Sequence, residues 1–273
     1  MTAIFAITNQ KGGVGKTTTS INLAASLAAT KRRVLMIDLD PQGNATTGSG
    51  IDKNSLHASS SDVLLERASV DDALVETRPA GYWLLPGDAS LTIAEVELVQ
   101  AVAREYRLKK ALKAVAGRFD FILIDCPPTL NTLTVNSLVA ASGVIIPMQC
   151  EYYALEGLSS LLKTIERIRQ TANSGLEVTG LLRTMYDPRN NLANDVSDKL
   201  TTHFGQQVFR TIIPRNVTLA EAPSHGVPVL HYDKSCRGSL AYLALAGELL
   251  RKGTAPVSEP PQPLLENVWL NAE

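Results

Sequence analysis

The sequence predicts an α/β protein in which a doubly wound, mostly parallel sheet is flanked by helices. Short apolar runs alternate along the chain with longer segments of helical spacing. The runs show little polar alternation, which is typical of strands buried on both faces of a parallel sheet. Strand–helix repetition also implies right-handed crossovers. Because ligands of such sheets bind beyond the carboxyl ends of the strands, we expect functional residues directly after the apolar runs.

Five apolar runs are predicted as strands, and four segments are predicted as helices. The strands are residues 3–7, 34–37, 121–124, 144–147 and 178–182. The helices are residues 17–29, 108–115, 155–170 and 196–204. Residues 1–252 are expected to form one domain.

The end of the chain differs in composition. Residues 253–273 carry three acidic side chains, no basic ones and four prolines. This composition predicts a flexible acidic tail. Apolar side chains within residues 264–270 leave a short docking element as the alternative.

Overall composition excludes several classes of protein. The 273 residues are 45% apolar and 19% charged, so the chain is not disordered throughout. A net charge of -1 excludes a uniformly basic nucleic-acid coat, but residues 183–252 carry a net +3. This basic block is either a phosphate-binding face or an ordinary solvated surface. Three widely spaced cysteines favour a reducing cytoplasm, and the longest apolar stretch, 135–148, is too short and interrupted to span a membrane.

A glycine- and lysine-rich segment, residues 9–19, joins the first predicted strand to the first predicted helix. Its glycines allow backbone N–H groups to turn inward around an anion, and the helix N-terminus adds partial positive charge. Lys16 supplies a full charge to the β- and γ-phosphates, and the Thr17 hydroxyl is placed to ligate Mg²⁺. We therefore predict a nucleotide phosphate site rather than a plain glycine-rich turn.

A second lysine, Lys11, departs from the ordinary phosphate-loop pattern, which has a glycine where this chain has Gln10. Lys11 has no obvious task beside the phosphates of its own loop. It could reach a nucleotide held by a facing subunit, as arginine fingers deliver charge across an interface. A solvated loop charge is the alternative.

Acidic residues follow two of the predicted strands. Asp38 and Asp40 come at the end of the second strand. A carboxylate there could orient a water molecule or bind metal-linked water, or it could be a helix cap or turn residue. Asp125 ends the run 121–124 in the Walker B form, which holds Mg²⁺ opposite the Thr17 hydroxyl. Cys126 is expected to be a small buried residue and not a nucleophile.

Together these segments resemble the ParA/MinD group of deviant-Walker P-loop ATPases, and within it the chromosome-type, Soj-like ParA partition proteins. The similarity extends from about residue 2 to about residue 252. The segments that carry it are Lys11-Gly-Gly-Val-Gly-Lys16-Thr-Thr, Asp38-Leu-Asp40-Pro-Gln-Gly-Asn, Ile124-Asp125-Cys-Pro-Pro, Gln149-Cys-Glu-Tyr-Tyr-Ala-Leu-Glu-Gly157, Ile213-Pro-Arg-Asn-Val217 and Glu221-Ala-Pro-Ser-His225.

The resemblance implies ATP and Mg²⁺ as cofactors and an ATP-sandwich homodimer. Lys11 would reach the partner's ATP, Lys16 would bind phosphates in its own subunit, and Asp40 would position or activate the attacking water. Thr17, Asp40 and Asp125 would form the metal site. The expected nucleotide contacts are Lys11, Gly12, Gly13, Val14, Gly15, Lys16, Thr17 and Thr18, with Pro214 and Asn216 at the adenine.

The resemblance further implies a DNA-partitioning ATPase of chromosome or plasmid segregation. Its ATP dimer would bind double-stranded DNA non-specifically through Arg189, Arg215 and Lys252. A ParB-like centromere-binding partner, together with DNA, would stimulate slow ATP hydrolysis and so release the dimer. The expected location is the nucleoid, within the cytoplasm. Thr218 stands where many relatives carry an arginine, which would weaken the DNA face.

Other functions stay open at this point. A MinD-like ATPase would position a protein cargo, but the acidic tail lacks the basic amphipathic character of a membrane-binding helix, so no membrane partner is expected. A small-molecule enzyme, such as an ATP-dependent ligase of the biotin-synthesis type, would turn over ATP without DNA. A purely structural nucleotide-binding module is disfavoured by the intact Asp40 and Asp125.

Overall fold

Seven strands form one sheet in the computed structural model, which describes residues 2–252. The strands are β1 (Ala3–Ile7), β2 (Val34–Asp38), β3 (Val75–Glu76), β4 (Trp83–Leu85), β5 (Phe121–Asp125), β6 (Gly143–Met148) and β7 (Glu177–Arg183). Their order in the sheet is β3-β4-β2-β5-β1-β6-β7. Within these residues β3 pairs antiparallel with β4, and every other pairing is parallel. The predicted doubly wound, mostly parallel sheet is therefore confirmed.

Helices cover both faces of the sheet. They are α1 (Lys16–Ala29), α2 (Asn44–Gly48), α3 (Ser60–Leu64), α4 (Val70–Ala73), α5 (Ser90–Leu98), α6 (Arg107–Leu112), α7 (Thr132–Ala140), α8 (Ala154–Thr171), α9 (Asn191–Phe204), α10 (Val217–Glu221), α11 (Val229–Tyr232) and α12 (Arg237–Lys252). All four predicted helices are present. The predicted start of α9 at residue 196 is five residues late, because the Asn190 side chain caps the helix by accepting from Ala193 N at 3.3 Å.

The sheet separates two apolar cores, and this explains why the strand runs are apolar throughout. Ile122 and Ile124 of β5 face one core, whereas Leu123 between them faces the other, and all three are fully buried. Helices α5 to α8 pack on the first face, and α1 and α12 pack on the second. A strand that is covered on both sides has no solvent-exposed face, so the alternation of apolar and polar residues along it disappears.

The apolar stretch at residues 135–148 comprises most of helix α7 and all of strand β6. Ser142 marks the turn between them, because its hydroxyl donates to Ile4 O at 2.9 Å and accepts from Ile4 N at 3.1 Å. No helix within residues 2–252 combines the length and apolar character that crossing a membrane requires. The predicted acidic tail, residues 253–273, lies outside the described residues.

Helix α12 is fixed to the loop at residues 210–211 by a buried carboxylate. Glu248 accepts from Arg210 N at 2.8 Å, from Thr211 N at 2.9 Å and from the Thr211 hydroxyl at 2.7 Å. Burial acts to raise the pKa of Glu248, but the Thr211 and Arg210 hydrogen bonds outweigh it, so this pKa lies below its ordinary value.

The carboxyl edge of the sheet brings the predicted functional segments together. Ile7, Asp125 and Asp38 end the neighbouring strands β1, β5 and β2, and they are aligned in register across the sheet. The loops that follow these three residues therefore open at one place, as expected for the ligand site of an open α/β sheet.

Candidate nucleotide site

The loop between β1 and α1 has the shape of an anion-binding turn. Gly13 has φ 73° and Gly15 has φ 87°, a region in which a residue with a side chain is strained. Gly15 is also the N-cap of α1, so unpaired N–H groups of the first helical turn face the loop. A Cβ placed on Gly13 would meet no atom within 4 Å. The loop therefore presents backbone donors to open space, as phosphate binding requires.

Neighbouring strands hold this loop in shape. The Asn9 side chain donates to Pro147 O at 2.8 Å and accepts from Lys11 N at 3.0 Å. The Thr184 hydroxyl donates to the carbonyl of buried Val14 at 2.7 Å. Because these contacts come from the ends of β6 and β7, the loop is pre-organised before any ligand enters.

Lys16 points into the loop and is buried. Its ammonium donates to Lys11 O at 3.1 Å. Burial lowers the pKa of Lys16, while the nearby carboxylates of Asp125 and Asp40 act to raise it. A buried ammonium that donates to a neutral carbonyl is well suited to receive a phosphate oxygen, because a charged acceptor makes a stronger hydrogen bond.

Asp125 is fully buried and has one free oxygen. Its Oδ1 accepts from the Ser20 hydroxyl at 2.8 Å, and its Oδ2 has no hydrogen-bond partner among residues 2–252. Burial raises the pKa of Asp125, and the charge of Asp38 adds to the rise, while the Ser20 and Thr17 hydroxyls act in the opposite direction. A divalent cation would reverse this effect by favouring the ionised carboxylate.

The residues at this position fit Mg²⁺. The Thr17 hydroxyl and the free oxygen of Asp125 are hard oxygen donors on adjacent elements. Within the described part of the chain, no group of three or more His, Cys, Asp or Glu is arranged to hold a metal by itself. Mg²⁺ usually takes one or two protein oxygens and completes its shell with water and substrate phosphates, so the Thr17 hydroxyl and the Asp125 carboxylate fit it.

The structure separates the roles of Asp38 and Asp40. Asp38 is fully buried and shapes the loop after β2, because its carboxylate accepts from Thr46 N and Thr46 Oγ1, both at 2.8 Å, and from Asp40 N at 3.1 Å. The turn-residue interpretation therefore holds for Asp38. Asp40 Oδ1 accepts from Gln42 N at 2.9 Å, so this carboxylate also takes part in the turn after β2. The predicted contact of Asp40 with a water molecule or metal-linked water stays a prediction.

Lys11 lies at the exposed rim of the loop. Its side chain forms an ion pair with Glu151, which follows β6, and does not enter its own phosphate loop. The two lysines of this loop therefore differ in environment, because Lys16 is buried inside the loop and Lys11 is exposed outside it.

The predicted adenine contacts lie beside the loop. The segment 213–216 runs along the end of β7, where Ile213 N donates to Arg183 O at 2.9 Å and Arg215 N donates to Tyr186 O at 3.2 Å. Pro214 is half-buried there, and Asn216 caps α10 by accepting from Leu219 N. The segment therefore lies beside the residues that end β7. Thr184, one of these residues, also contacts the phosphate loop through its hydrogen bond to Val14 O.

Two of the three predicted DNA contacts lie together. Arg189 and Arg215 are exposed, and both influence Asp187: Arg189 pairs with this carboxylate through two nitrogens at 2.9 and 2.7 Å, and the positive charge of Arg215 also acts on it. These hydrogen bonds lower the pKa of Asp187 to about 2. The cluster lies just beyond the carboxyl end of β7.

Lys252 is in a different environment. Its ammonium donates to Thr179 O and Gln206 O, each at 3.0 Å, and lies 4.4 Å from the centre of the Phe209 ring. Burial lowers its pKa. Thr179 is near the start of β7, so about 13 Å of strand, at roughly 3.3 Å per residue, separates the Lys252 contact from the carboxyl end of β7, beyond which the Arg189 cluster lies. This geometry favours a packing role over phosphate contact, and the predicted DNA contact of Lys252 remains untested.

Several residues that support the site were missed in the sequence. Ser20 holds Asp125, Asn9 and Thr184 hold the loop, and Glu151 pairs with Lys11. Ser20 carries a weak signal, because it lies one helical turn after Lys16 and so faces the same side of α1. Cys126 meets its prediction: it is buried, and burial raises the pKa of its thiol to about 12, which makes it a poor nucleophile.

The fold and the site define the class of P-loop ATPases. Residues 2–178 match the family model of an AAA domain. The chain is 51% identical to the chromosome partitioning protein ParA of Caulobacter vibrioides, over 91% of this chain and 94% of that protein. It is 50% identical to the sporulation initiation inhibitor protein Soj of Bacillus subtilis, over 93% of this chain and all of that protein. The chain belongs to the ParA/Soj family of chromosome-partitioning ATPases, which confirms the resemblance seen in the sequence.

A solved structure supports the same fold. The crystal structure named cobyrinic acid a,c-diamide synthase from Mycobacterium smegmatis, with a bound ATP analogue and magnesium, is 38% identical in sequence. It superposes with a TM-score of 0.83 over 96% of this chain and all of that chain.

Proposed function

We propose that this chain is a DNA-partitioning ATPase. Its ATP-bound homodimer binds double-stranded DNA without sequence preference, and a ParB-like centromere-binding protein stimulates the hydrolysis that releases it. The observation that carries the proposal is the division between Lys16, buried inside the phosphate loop, and Lys11, exposed at its rim. A lysine that its own loop does not use is available to a second subunit.

Each residue of the site then has a task in the reaction. Lys16 is positioned to neutralise the β- and γ-phosphates of ATP, and the Thr17 hydroxyl and Asp125 hold Mg²⁺, which when bound neutralises further phosphate charge. Asp40 keeps its Oδ1 in a turn and offers Oδ2 to the attacking water. Lys11 delivers a second positive charge to the nucleotide of the facing subunit.

Non-specific DNA binding needs only cations that face the DNA phosphates, because it requires no contacts to the bases. Arg189 and Arg215 form such a pair beyond the end of β7. The adjacent segment 213–216 includes the proposed adenine contacts, so one loop links the nucleotide to the basic surface. The proposal places the ATP dimer on the nucleoid in the cytoplasm, with no membrane partner.

Self-association tests the proposal most simply. The Asp40→Ala variant, which should bind ATP without hydrolysing it, is expected to sediment as a dimer with ATP and Mg²⁺ and as a monomer with ADP. Adding Lys11→Gln should abolish the dimer but preserve ADP binding. Lys163→Gln, an exposed lysine on α8, is the matched control and should dimerise normally. A monomer with ATP in the Asp40→Ala variant, or a persistent dimer in the Lys11→Gln variant, contradicts the proposal.

A small-molecule amidation enzyme is the second candidate. It rests on the 38% identity to the structure named as a diamide synthase. Such an enzyme would turn over ATP with a carboxylic acid and a nitrogen donor, and DNA would have no effect. Stimulation of ATP turnover by cobyrinic acid and glutamine, but not by DNA, would favour it. A MinD-like protein positioner would instead bind neither DNA nor a small carboxylic acid.

A further inference from the structure

The side chain of Lys11 lies outside the hydrogen bonds that fix the backbone of the phosphate loop. Its backbone is fixed on both sides, because Lys11 N donates to Asn9 Oδ1 at 3.0 Å and Lys11 O accepts from Lys16 Nζ at 3.1 Å. Beyond this fixed backbone the side chain remains 42% exposed. The ammonium can therefore change partners without any change in the loop.

Glu151 is the partner that the described structure gives to this ammonium. It lies in the connection between β6 and α8, whose backbone is ordered by hydrogen bonds from Glu151 N to Gln149 O and from Ala154 N to Glu151 O, both 3.0 Å. The same connection reaches the phosphate loop at a second point, through Gln149 Nε2 and Gly13 O at 3.4 Å. Glu151 is thus held beside the loop by its backbone, while its side chain remains 52% exposed.

We infer that Glu151 is a positioning residue that holds Lys11 on its own subunit until a second subunit presents ATP. The inference rests on the proposed function, in which Lys11 acts across a dimer. Lys11 cannot serve Glu151 and a facing γ-phosphate at the same time, so dimer formation breaks the Lys11–Glu151 pair. Glu151 therefore opposes dimerisation, and the triphosphate must outcompete it.

The strength of the pair suits an exchangeable contact. Ion pairs between half-exposed side chains contribute only a small stabilisation, equivalent to a factor of about 1.4 to 5 in an equilibrium constant. Each homodimer breaks two such pairs, so removing both should tighten self-association by a factor of about 2 to 30. A facing triphosphate carries several negative charges, and its attraction for Lys11 can offset the free energy lost when these ion pairs break. Salt screens exposed pairs, so the factor should shrink as ionic strength rises.

The inference can be tested by comparing Glu151→Gln with Glu151→Asp and Glu156→Gln, all in the Asp40→Ala background. Glu156 is exposed on the first turn of α8 and carries the same charge outside the Lys11 pair. We expect Glu151→Gln to tighten ATP-dependent self-association about 2- to 30-fold at low salt and much less at high salt. Glu151→Asp keeps the charge, so its ATP-dependent self-association should be closer to that of the parent. Self-association of Glu156→Gln should equal that of the parent. ADP affinity should be the same in all four proteins.

The outcomes separate the inference from the proposed function. Equal self-association in the Glu151→Gln variant and its parent overturns the inference while leaving the ATP dimer intact. Weaker self-association in Glu151→Gln also overturns it, because Glu151 would then stabilise the dimer. Absence of any ATP-dependent association in the parent contradicts the proposed function itself, and the inference falls with it.

Discussion

Ser20→Ala should weaken magnesium binding through Asp125, although Ser20 is not among the residues expected to contact the metal or the nucleotide. Asp125 is fully buried, and the Ser20 hydroxyl is the donor that satisfies its Oδ1, at 2.8 Å. Its Oδ2 is already without a partner among residues 2–252. Without Ser20 the carboxylate loses a charge-assisted hydrogen bond worth about 1.5 to 3 kcal/mol, and protonation of Asp125 becomes easier. Both effects disfavour the ionised form that binds the cation.

The expected loss is about 10- to 100-fold in apparent Mg²⁺ affinity, the range typical of residues that hold a metal ligand. The assay is calorimetric titration of Mg²⁺ into the chain with saturating ADP, which avoids the ATP dimer. Ser26→Ala is the matched control, because Ser26 is a buried serine of the same helix whose hydroxyl has no partner in the described structure. Thermal unfolding verifies that both variants fold. Equal Mg²⁺ affinity in the two variants would refute the assignment of Asp125.

Other predictions concern the last helix and the basic surface. Because the pKa of Glu248 is lowered on folding, its contribution to stability is present above about pH 4.5 and is lost as pH falls through the folded-state pKa. Glu248→Gln should therefore lower the free energy of unfolding by about 1 to 2 kcal/mol at pH 7, with a smaller loss near pH 4, as measured by urea denaturation; an equal loss at both values would contradict the sign. Arg189→Ala and Arg215→Ala should each reduce the slope of log K for DNA binding against log salt concentration by about one, while nucleotide affinity stays constant. Unchanged slopes would place the DNA surface elsewhere. Lys252→Ala should leave DNA affinity unchanged and lower the melting temperature; a DNA-binding loss with normal stability would restore the sequence-based prediction.

The strands could be predicted where both faces are buried. The apolar runs located β1, β2, β5, β6 and β7 to within one residue at each end. Strands β3 and β4 were missed because they have two and three residues, and Trp83 is partly exposed. Helix α12 was missed although its signal was present: Tyr242, Leu245, Ala246 and Leu249 recur at helical spacing and pack into the core beside α1.

The candidate site could be proposed from the sequence where its residues are contiguous in the chain. The phosphate loop, Asp40 and Asp125 each belong to short motifs whose chemistry depends on local spacing. The supporting contacts join residues far apart, as between Ser20 and Asp125 or between Lys11 and Glu151, and no local pattern encodes them. Lys252 shows the converse problem, since a charge is visible in the sequence but its burial against Phe209 is not.

The central claim is that ATP, and not ADP, turns this chain into a DNA-binding dimer. The most direct test measures binding of the Asp40→Ala protein to random-sequence duplex DNA at near-physiological salt, with ATP and Mg²⁺ in one arm and ADP and Mg²⁺ in the other. We expect tight binding with ATP alone, and its loss when Lys11→Gln is added. Equal binding with both nucleotides, or no binding with either, would contradict the claim.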